Sequence, residues 1–414
     1  MTAERFRRVP LPERFCNLDR LLAAMQARGL DGLVASTPLN LFYLTGFNGI
    51  AHKADEPRPY ALILSRHAPD HPVLVIADYY LGTFLAQPTW VRDVRPFRAV
   101  MMPLDVAPAA SDIDRFIPKN DHAWLRDARK HYAFDMGTAM RAALDDLRLD
   151  RCRVGFDDLG FGQRLNLDGI SMADAYDPLM FARSVKTSVE VSLLKRATAL
   201  NRAAIEQTAK AWSPGMNWRE LNRAYHRAAV DLGGFVRDPG AMVWGHPRGG
   251  DPALTLQTGL EDFAVDAGMH VMFDCHGTLD LYCWDGGKTW IVGGETGAAG
   301  KRNLRATAAA AEALLAAMRP GVRISALQAA ARQAFRKAGV PDPDASVTFF
   351  HGLGLSHMDI ERGEGDWALE AGMVVPMHIV YPGGERERAW LEEVVLVTEG
   401  GGEPFFGWGF DPLT

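Results

Sequence analysis

The sequence predicts two successive domains, an α/β domain over residues 1–180 and an α+β domain over residues 181–414. The chain of 414 residues is long enough for two or three domains. In its first part, short apolar runs typical of strands alternate with helical patterns. In its second part, amphipathic helices flank a β-rich core. These observations favour mixed helix-and-sheet architectures in both parts.

In the first domain, apolar residues at helical spacing predict a helix from Leu18 to Met25, which Gly29 would end. Three short apolar runs predict strands: Leu33–Ala35, Ala61–Leu64 and Val73–Ile76. Residues 96–130 contain four prolines that interrupt any long element. We interpret that stretch as a surface excursion, with a loop covering the active site as the alternative.

In the second domain, four segments predict helices: Val189–Trp212, Trp218–Leu232, Asn303–Met318 and Ile324–Ala338. The third is rich in alanine, which favours helix and permits close packing on a sheet. Pro320 and Gly321 separate the last two helices. A β-rich core that carries polar candidate residues follows the first two helices.

Composition excludes several classes of protein. Hydrophobic residues make up 48% and charged residues 23% of the chain, which is ordinary for a soluble globular protein. The net charge of −6 argues against a general nucleic-acid binder. The four cysteines form no CxxC pair, and no secretory leader or membrane-length apolar run occurs. We therefore expect a cytoplasmic protein without nucleic-acid or membrane partners.

The most informative motif is Phe273–Gly277 followed by Trp284–Thr289, which carries Asp274 and Asp285 eleven positions apart. β-prone residues and a glycine flank each aspartate, so a strand, a turn and a return strand fit the interval. Both carboxylates would then reach one point. Because divalent cations need several converging oxygens, the pair is a candidate metal site, with ordinary turn residues as the alternative.

Three further segments place a histidine or glutamate within or beside a short apolar run: Phe350–Gly354, Ala371–His378 and Leu391–Val397. The residues concerned are His351, His378 and Glu392. Ionisable groups are seldom fully buried unless they are paired or coordinate a metal. Because such segments recur along the chain, we interpret the set as candidate metal ligands rather than as ordinary strand ends.

These segments resemble the pita-bread metallohydrolases, which include creatinase, prolidase, aminopeptidase P and methionine aminopeptidase. The resemblance extends over nearly the whole chain, because three earlier segments match as well: Arg28–Leu33, Asn40–Phe47 and Ala182–Glu190. It implies a creatinase/prolidase-like α/β N-terminal domain over residues 1–180. It also implies an α+β pita-bread catalytic domain over residues 181–414.

The family holds two metal ions with Asp, Asp, His, Glu and Glu, and this sequence departs from that pattern twice. Three residues match the two aspartates and the last glutamate: Asp274, Asp285 and Glu392. Leu355 replaces the histidine ligand, so His351 or His357 would substitute for it. His378 stands where the family has the glutamate that takes a proton from the attacking water.

The resulting set of two aspartates, one glutamate and two histidines is softer and less anionic than the family's set. It suits one divalent transition metal, iron, zinc or manganese, better than a dimagnesium or dimanganese pair, with two bound ions as the alternative. Because the usual water-activating carboxylate is missing, ordinary peptide hydrolysis is in question.

The resemblance also suggests residues for acid–base work. His246 matches the family's histidine near the substrate and can carry a proton near neutral pH. His357 and Asp359 follow the glycine motif and are candidates for substrate or proton transfer, with a solvated loop pair as the alternative. His276 would share a strand face with Asp274 because side chains alternate, and it is a candidate substrate-binding residue.

Two further residues are candidates for substrate binding. Arg362 would anchor a substrate carboxylate, since creatinase has an arginine at a comparable place, with solvated surface charge as the alternative. In dimeric relatives the N-terminal domain of one subunit helps to close the partner's site. Phe47 is therefore a candidate binding residue in a homodimer, with packing in the core as the alternative.

Together these observations predict a metal-dependent hydrolase that cleaves a C–N bond in a small carboxylate-bearing substrate, similar to Xaa-Pro peptidases. Three alternatives remain open. The first is a metal-dependent lyase similar to dimethylsulfoniopropionate lyase. The second is a metal-free, creatinase-like hydrolase, and the third is a non-catalytic pita-bread binding module.

Overall fold

The computed structural model describes residues 6, 9–49, 58–99, 105, 109–116, 123–244, 262–360 and 365–414. The chain divides into two compact units at Arg183 and Ser184, an N-terminal unit from Pro10 and a C-terminal unit that extends to Thr414. Each unit is built on its own β-sheet.

The N-terminal unit contains a mixed six-stranded sheet in the order β4-β3-β2-β1-β5-β6. Its strands are β1 (Gly32–Ala35), β2 (Tyr60–Ser65), β3 (Val73–Ala77), β4 (Asp93–Phe97), β5 (Arg153–Phe156) and β6 (Ser171–Asp174). Every residue of β1, β2 and β3 is buried, as expected for the centre of a sheet covered on both faces. The three predicted strands are confirmed.

Seven helices accompany this sheet in the described part of the unit. They are α1 (Leu18–Ala27), α2 (Pro38–Thr45), α3 (Leu81–Leu85), α4 (Ala123–Lys130), α5 (Met136–Asp146), α6 (Leu159–Arg164) and α7 (Tyr176–Ser184). The predicted helix from Leu18 is confirmed. The proline-rich stretch of residues 96–130 contains more regular structure at its ends than the sequence suggests, because it begins in β4 and ends with α4. Pro96 lies in the edge strand β4, where a missing N–H is tolerated.

The C-terminal unit contains an eight-stranded sheet whose pairings are all antiparallel, with the main order β11-β12-β13-β10-β8-β7. Its strands are β7 (Phe235–Trp244), β8 (His270–Leu279), β9 (Tyr282–Trp284), β10 (Gly287–Ile291), β11 (Val347–Phe350), β12 (Val374–Tyr381), β13 (Ala389–Thr398) and β14 (Gly401–Pro404). The predicted strand, turn and return strand around the aspartates are confirmed. There β8 pairs with β9 across a two-residue turn at Asp280 and Leu281.

Four helices of this unit pack in two pairs. They are α8 (Ser188–Ala211) with α9 (Trp218–Asp231), and α10 (Ala298–Ala317) with α11 (Ile324–Lys337). The predicted helices are confirmed, although α10 begins five residues before the predicted Asn303 because Ala298 and Ala299 extend it. Among the described residues, no helix is both long and apolar enough to cross a membrane.

The sheet presents the predicted ligands on the face opposite to these helices. On β13, Leu391 and Val395 belong to the apolar core formed with α10 and α11, and Glu392 lies between them. Because side chains alternate along a strand, Glu392 points to the other face. On β8, Cys275 contacts α9, so its neighbour Asp274 also faces away from the helices.

Candidate metal centre

Strand pairing brings the predicted ligands into one row across the sheet. His378 on β12 lies opposite Glu392 on β13, and Glu392 lies opposite Gly287 on β10. Thr289 on β10 pairs with Met272 on β8, so two positions along the strands Gly287 faces Asp274, and Asp274 belongs to the same row. Asp285 precedes Gly287 by two residues. Residues far apart in the sequence thus converge because their strands are neighbours in the sheet.

Two consecutive glycines make room for Glu392 in this row. Gly286 has a φ of +81°, and a Cβ atom there would lie 2.8 Å from Cγ of Glu392. Gly287 has a φ of +154°, and a Cβ atom there would lie 2.5 Å from the carbonyl oxygen of Phe273. A side chain at either position would push β10 away from its neighbours, so the two glycines set the spacing of the ligand row.

Seven side chains, which we call the donor cluster, form three overlapping groups of potential ligands. Within each group, one ligand atom per residue lies within 4.8 Å of the others. Among the described residues the groups are His276 with Asp285 and His357, His351 with His378 and Glu392, and Asp274 with Asp285 and Glu392. The structure therefore brings all five predicted ligands together, and it adds His357, the alternative histidine ligand, and His276, which the sequence predicted for substrate binding.

Asp285 is the centre of the contacts between carboxylates and imidazoles. His276 Nε2 lies 3.1 Å from Asp285 Oδ1 and 2.8 Å from Asp274 Oδ1. On the other side, His357 Nδ1 lies 3.1 Å and His351 Nε2 lies 3.4 Å from Asp285 Oδ2. Both candidates for the histidine ligand, His351 and His357, thus lie beside the same carboxylate oxygen.

The pKa values of His276 and Asp285 shift as expected for an ion pair. Burial alone would lower the pKa of His276, but the carboxylates of Asp285 and Asp274 outweigh it and raise that pKa to about 10. Burial would raise the pKa of Asp285, but the imidazole of His276 outweighs burial and lowers it. Without a cation, His276 therefore supplies positive charge to the two aspartates.

Glu392 and His378 behave differently, because neither has a strong partner of opposite charge. Burial raises the pKa of Glu392 well above its ordinary range, and the carboxylates of Asp285 and Asp274 raise it further. Burial lowers the pKa of His378 well below its ordinary range, and His351 adds to that effect. His378 Nε2 lies 2.9 Å from Glu392 Oε1, and burial favours the uncharged form of each group.

At the centre of the cluster, several ligand atoms make no hydrogen bond in the described part of the chain, although other side chains of the cluster lie close to them. Five buried atoms lack a hydrogen-bond partner among the described residues: Asp285 Oδ2, His351 Nε2, His378 Nδ1 and both carboxylate oxygens of Glu392. Buried polar atoms are almost always hydrogen-bonded, and leaving several unpaired is unfavourable. Carboxylate oxygens and imidazole nitrogens are ligands of zinc, iron and manganese. The residues present therefore fit a divalent cation.

Asp359 does not join the donor cluster and is a correction to the predicted proton-transfer residues. It is buried, and its Oδ2 lies 3.2 Å from Nζ of Lys186, which is buried as well. Gly352 and Gly354 allow this approach, because a Cβ atom at either position would collide with Asp359. The ion pair ties the loop that carries His351 to the segment preceding α8.

Phe47 is a second correction. Its side chain is fully buried in the N-terminal unit, where it packs edge-on against Tyr60 and Phe84. A ring enclosed in this way is part of the core and has no surface for a substrate. Two other predicted residues, His246 and Arg362, lie outside the described residues.

The sequence did not single out Asn201, although this residue supports the ligand row from behind. Its buried side-chain amide lies within α8 and donates to the backbone carbonyl oxygens of Asp285, at 3.3 Å, and Gly286, at 3.0 Å. Tyr225 in turn donates to the Asn201 carbonyl oxygen at 2.7 Å. The sequence signal that could have identified Asn201 is its position as a polar residue among the buried apolar residues of α8.

Two family models match the chain. The model for metallopeptidase family M24 matches residues 192–399, and the creatinase/prolidase N-terminal domain matches residues 17–158. A curated relative, the probable dipeptidase PepE of Mycobacterium tuberculosis, is 29% identical over 243 residues. That alignment covers 56% of this chain and 61% of the relative, which is less than two thirds of its length.

Solved structures share the fold across nearly the whole chain. The dipeptidase of Pyrococcus horikoshii OT3 superimposes with a TM-score of 0.71 at 19% identity, covering 96% of this chain and 99% of that one. The Xaa-Pro dipeptidase of Bacillus anthracis gives 0.69 at 17% identity, covering 96% and 98%. Together with the two family models, these similarities show that the chain belongs to metallopeptidase family M24, with a creatinase/prolidase N-terminal domain and a pita-bread catalytic domain.

Proposed function

We propose that this protein is a metal-dependent hydrolase that cleaves a C–N bond in a small, peptide-like substrate bearing a carboxylate. The observation that carries the proposal is the group of five buried ligand atoms in the donor cluster that make no hydrogen bond among the described residues. Membership of a metallopeptidase family supports hydrolysis as the reaction class. The names of the relatives, dipeptidase and Xaa-Pro dipeptidase, support small peptides as the substrate class.

The metal ligands in this proposal are five residues of the donor cluster: Asp274, Asp285, His351, His378 and Glu392. They would hold iron, zinc or manganese, as one ion or two. When bound, such an ion supplies Lewis acidity and makes water a nucleophile near neutral pH. Asn201, Gly286 and Gly287 keep the ligand row in place, and His276 balances the charge of the two aspartates.

His357 is the proposed proton carrier in place of the missing family carboxylate. Its side chain is 42% exposed, against 18% for His276, 6% for His378 and 5% for His351, so it is the histidine of the cluster that a substrate reaches most readily. Nδ1 of His357 faces Asp285, which orients the ring. A neutral imidazole held in this way can accept a proton from water and return it to the leaving amine.

The test is an assay on untagged protein that has been stripped of metal and then reconstituted separately with zinc, manganese, ferrous iron or magnesium. Dipeptides with and without a C-terminal proline serve as substrates, and amine release is measured. The proposal expects hydrolysis that requires a transition metal, with little restored by magnesium. Full activity in the stripped protein would support a creatinase-like reaction instead, and elimination products without hydrolysis would support a lyase.

His357→Gln separates its proposed role from that of a ligand. A proton carrier should lose kcat while the protein retains its bound metal, because the glutamine preserves volume and polarity but cannot be protonated near pH 7. His351→Gln is the matched comparison from the same loop, and it should lose metal. If His357→Gln lost metal while His351→Gln kept it, the two assignments would be exchanged.

A further inference from the structure

The edge strand β11 presents two exposed apolar side chains in line with the donor cluster. Val347 is 41% and Phe349 is 39% exposed, whereas the interleaved Phe350 packs against the apolar core. Because side chains alternate along a strand, Val347, Phe349 and the following His351 lie along one face. Large apolar groups exposed in sequence beside a reactive site are candidates for contact with a ligand.

Phe349 also contacts the cluster directly. It pairs in register with His378, and the two rings stack with centroids 3.9 Å apart and planes at 19°. Trp390 approaches the same imidazole edge-on at 5.8 Å. One face of the Phe349 ring is therefore occupied by His378, and its exposed remainder borders the space next to the ligands.

Beside the ligands lies a small, separate apolar cluster of Met272, Val380 and Trp390. In the sheet it occupies the row next to the ligand row, on the same face, because Val380 pairs with Trp390 two positions beyond the pair of His378 with Glu392. The donor cluster is thus apolar on the side towards Val380 and Trp390, whereas the charges concentrate around Asp285. This asymmetry gives the site a preferred orientation for a substrate with one apolar end.

We propose that β11 determines substrate specificity at this site and selects substrates with an apolar side chain next to the scissile C–N bond. Phe349 would make the main contact with that side chain, and Val347 would contact longer side chains. The inference rests on the proposed function, since it assumes that the substrate reacts at the donor cluster. Val347 lies two residues farther along the strand, about 6.6 Å from Phe349. Short apolar groups would therefore contact Phe349 alone, and longer ones would reach Val347.

The experiment compares kcat/KM for dipeptides that differ in one side chain, from glycine through alanine and valine to leucine and phenylalanine, in wild type, Phe349→Ala and Val347→Ala. We expect Phe349→Ala to lower kcat/KM about tenfold for the leucine and phenylalanine peptides, mainly through KM, and to change the glycine peptide little. Val347→Ala should affect only the longest side chains. Phe349→Leu should restore most of the preference.

Phe235 provides the matched control, because it is a highly exposed phenylalanine on β7, at the opposite edge of the same sheet. Phe235→Ala should leave the whole series unchanged. Bound metal and the midpoint of thermal unfolding are measured for every variant. If Phe349→Ala lowered kcat/KM equally for all peptides and also lost metal, the ring would only support His378. That result would overturn the proposed role of β11 in specificity but not the proposed function. A wild-type protein that hydrolyses none of the peptides would overturn both.

Discussion

Two buried clusters of charged side chains in the C-terminal unit differ in how far nearby cationic and hydrogen-bonding groups compensate their carboxylates. In one, Lys186 lies 3.2 Å from Asp359, and both are almost completely inaccessible. Glu190 beside them accepts hydrogen bonds from the Tyr282 hydroxyl at 3.1 Å and the Thr187 backbone at 2.9 Å. Here the chain provides one lysine and several hydrogen-bond donors for two carboxylates.

The donor cluster does not balance itself in this way. Three carboxylates meet there. His276 contacts two of them, Asp285 and Asp274, and neither oxygen of Glu392 makes a hydrogen bond among the described residues. The comparison teaches that burial of charge alone does not identify a functional site. A cluster that supplies its own cation and hydrogen-bond donors needs no bound ion, whereas a cluster in which several acceptors make no hydrogen bond fits a divalent cation.

The largest expected effect follows from Asp285→Asn, which removes the charge shared by His276, His351 and His357. Metal affinity should fall by more than about 100-fold, because even residues that only support ligands cost 10- to 100-fold, and hydrolysis should fall with it. Calorimetric metal titration and the dipeptide assay measure both. Asp280→Asn, in the turn of the same hairpin, is the control and should retain both properties.

Breaking the matched cluster should affect stability rather than chemistry. Asp359→Ala leaves Lys186 buried without its carboxylate, which should lower the free energy of unfolding by about 3–5 kcal/mol in a denaturant titration. The double variant Lys186→Met with Asp359→Leu should recover much of that loss. An exposed pair, Lys195 with Glu403, is the control and should cost about 0–1 kcal/mol when broken. Unchanged stability with lost activity in Asp359→Ala would restore the proton-transfer role predicted from the sequence.

A smaller effect should follow from Asn201→Leu, which removes the amide behind Asp285 and Gly286. The expected cost is about 1–3 kcal/mol in unfolding free energy, because both buried carbonyl oxygens lose the amide donor and Gly286 keeps only the Cys275 N–H among the hydrogen bonds described. Metal affinity should also fall about tenfold as the ligand row loosens. Thr208→Ala, which removes a hydroxyl bonded within the same helix, should lower stability without changing metal affinity. Equal metal affinities in both variants would argue against a supporting role for Asn201.

Local sequence patterns predicted much of this molecule, because helices and strands follow the spacing of nearby apolar residues. The hairpin with Asp274 and Asp285 is a local feature of this kind, as are the strands that carry His378 and Glu392. The pairing of Lys186 with Asp359 is not, because 173 positions separate the two residues. Nor does a local pattern show that Phe47 is enclosed by aromatic rings or that His276 lies between two carboxylates. Such contacts depend on strand order and on side-chain direction, which no short segment of sequence contains.

The most direct test of the central claim is elemental analysis of untagged protein purified without added metal, alongside the variant Asp285→Asn with Glu392→Gln. The account predicts one or two equivalents of zinc, iron or manganese per chain in the wild type and almost none in the variant, with both proteins folded. A folded wild-type protein that contains no metal and takes up none on reconstitution would contradict it, because the donor cluster would then be balanced by its own side chains.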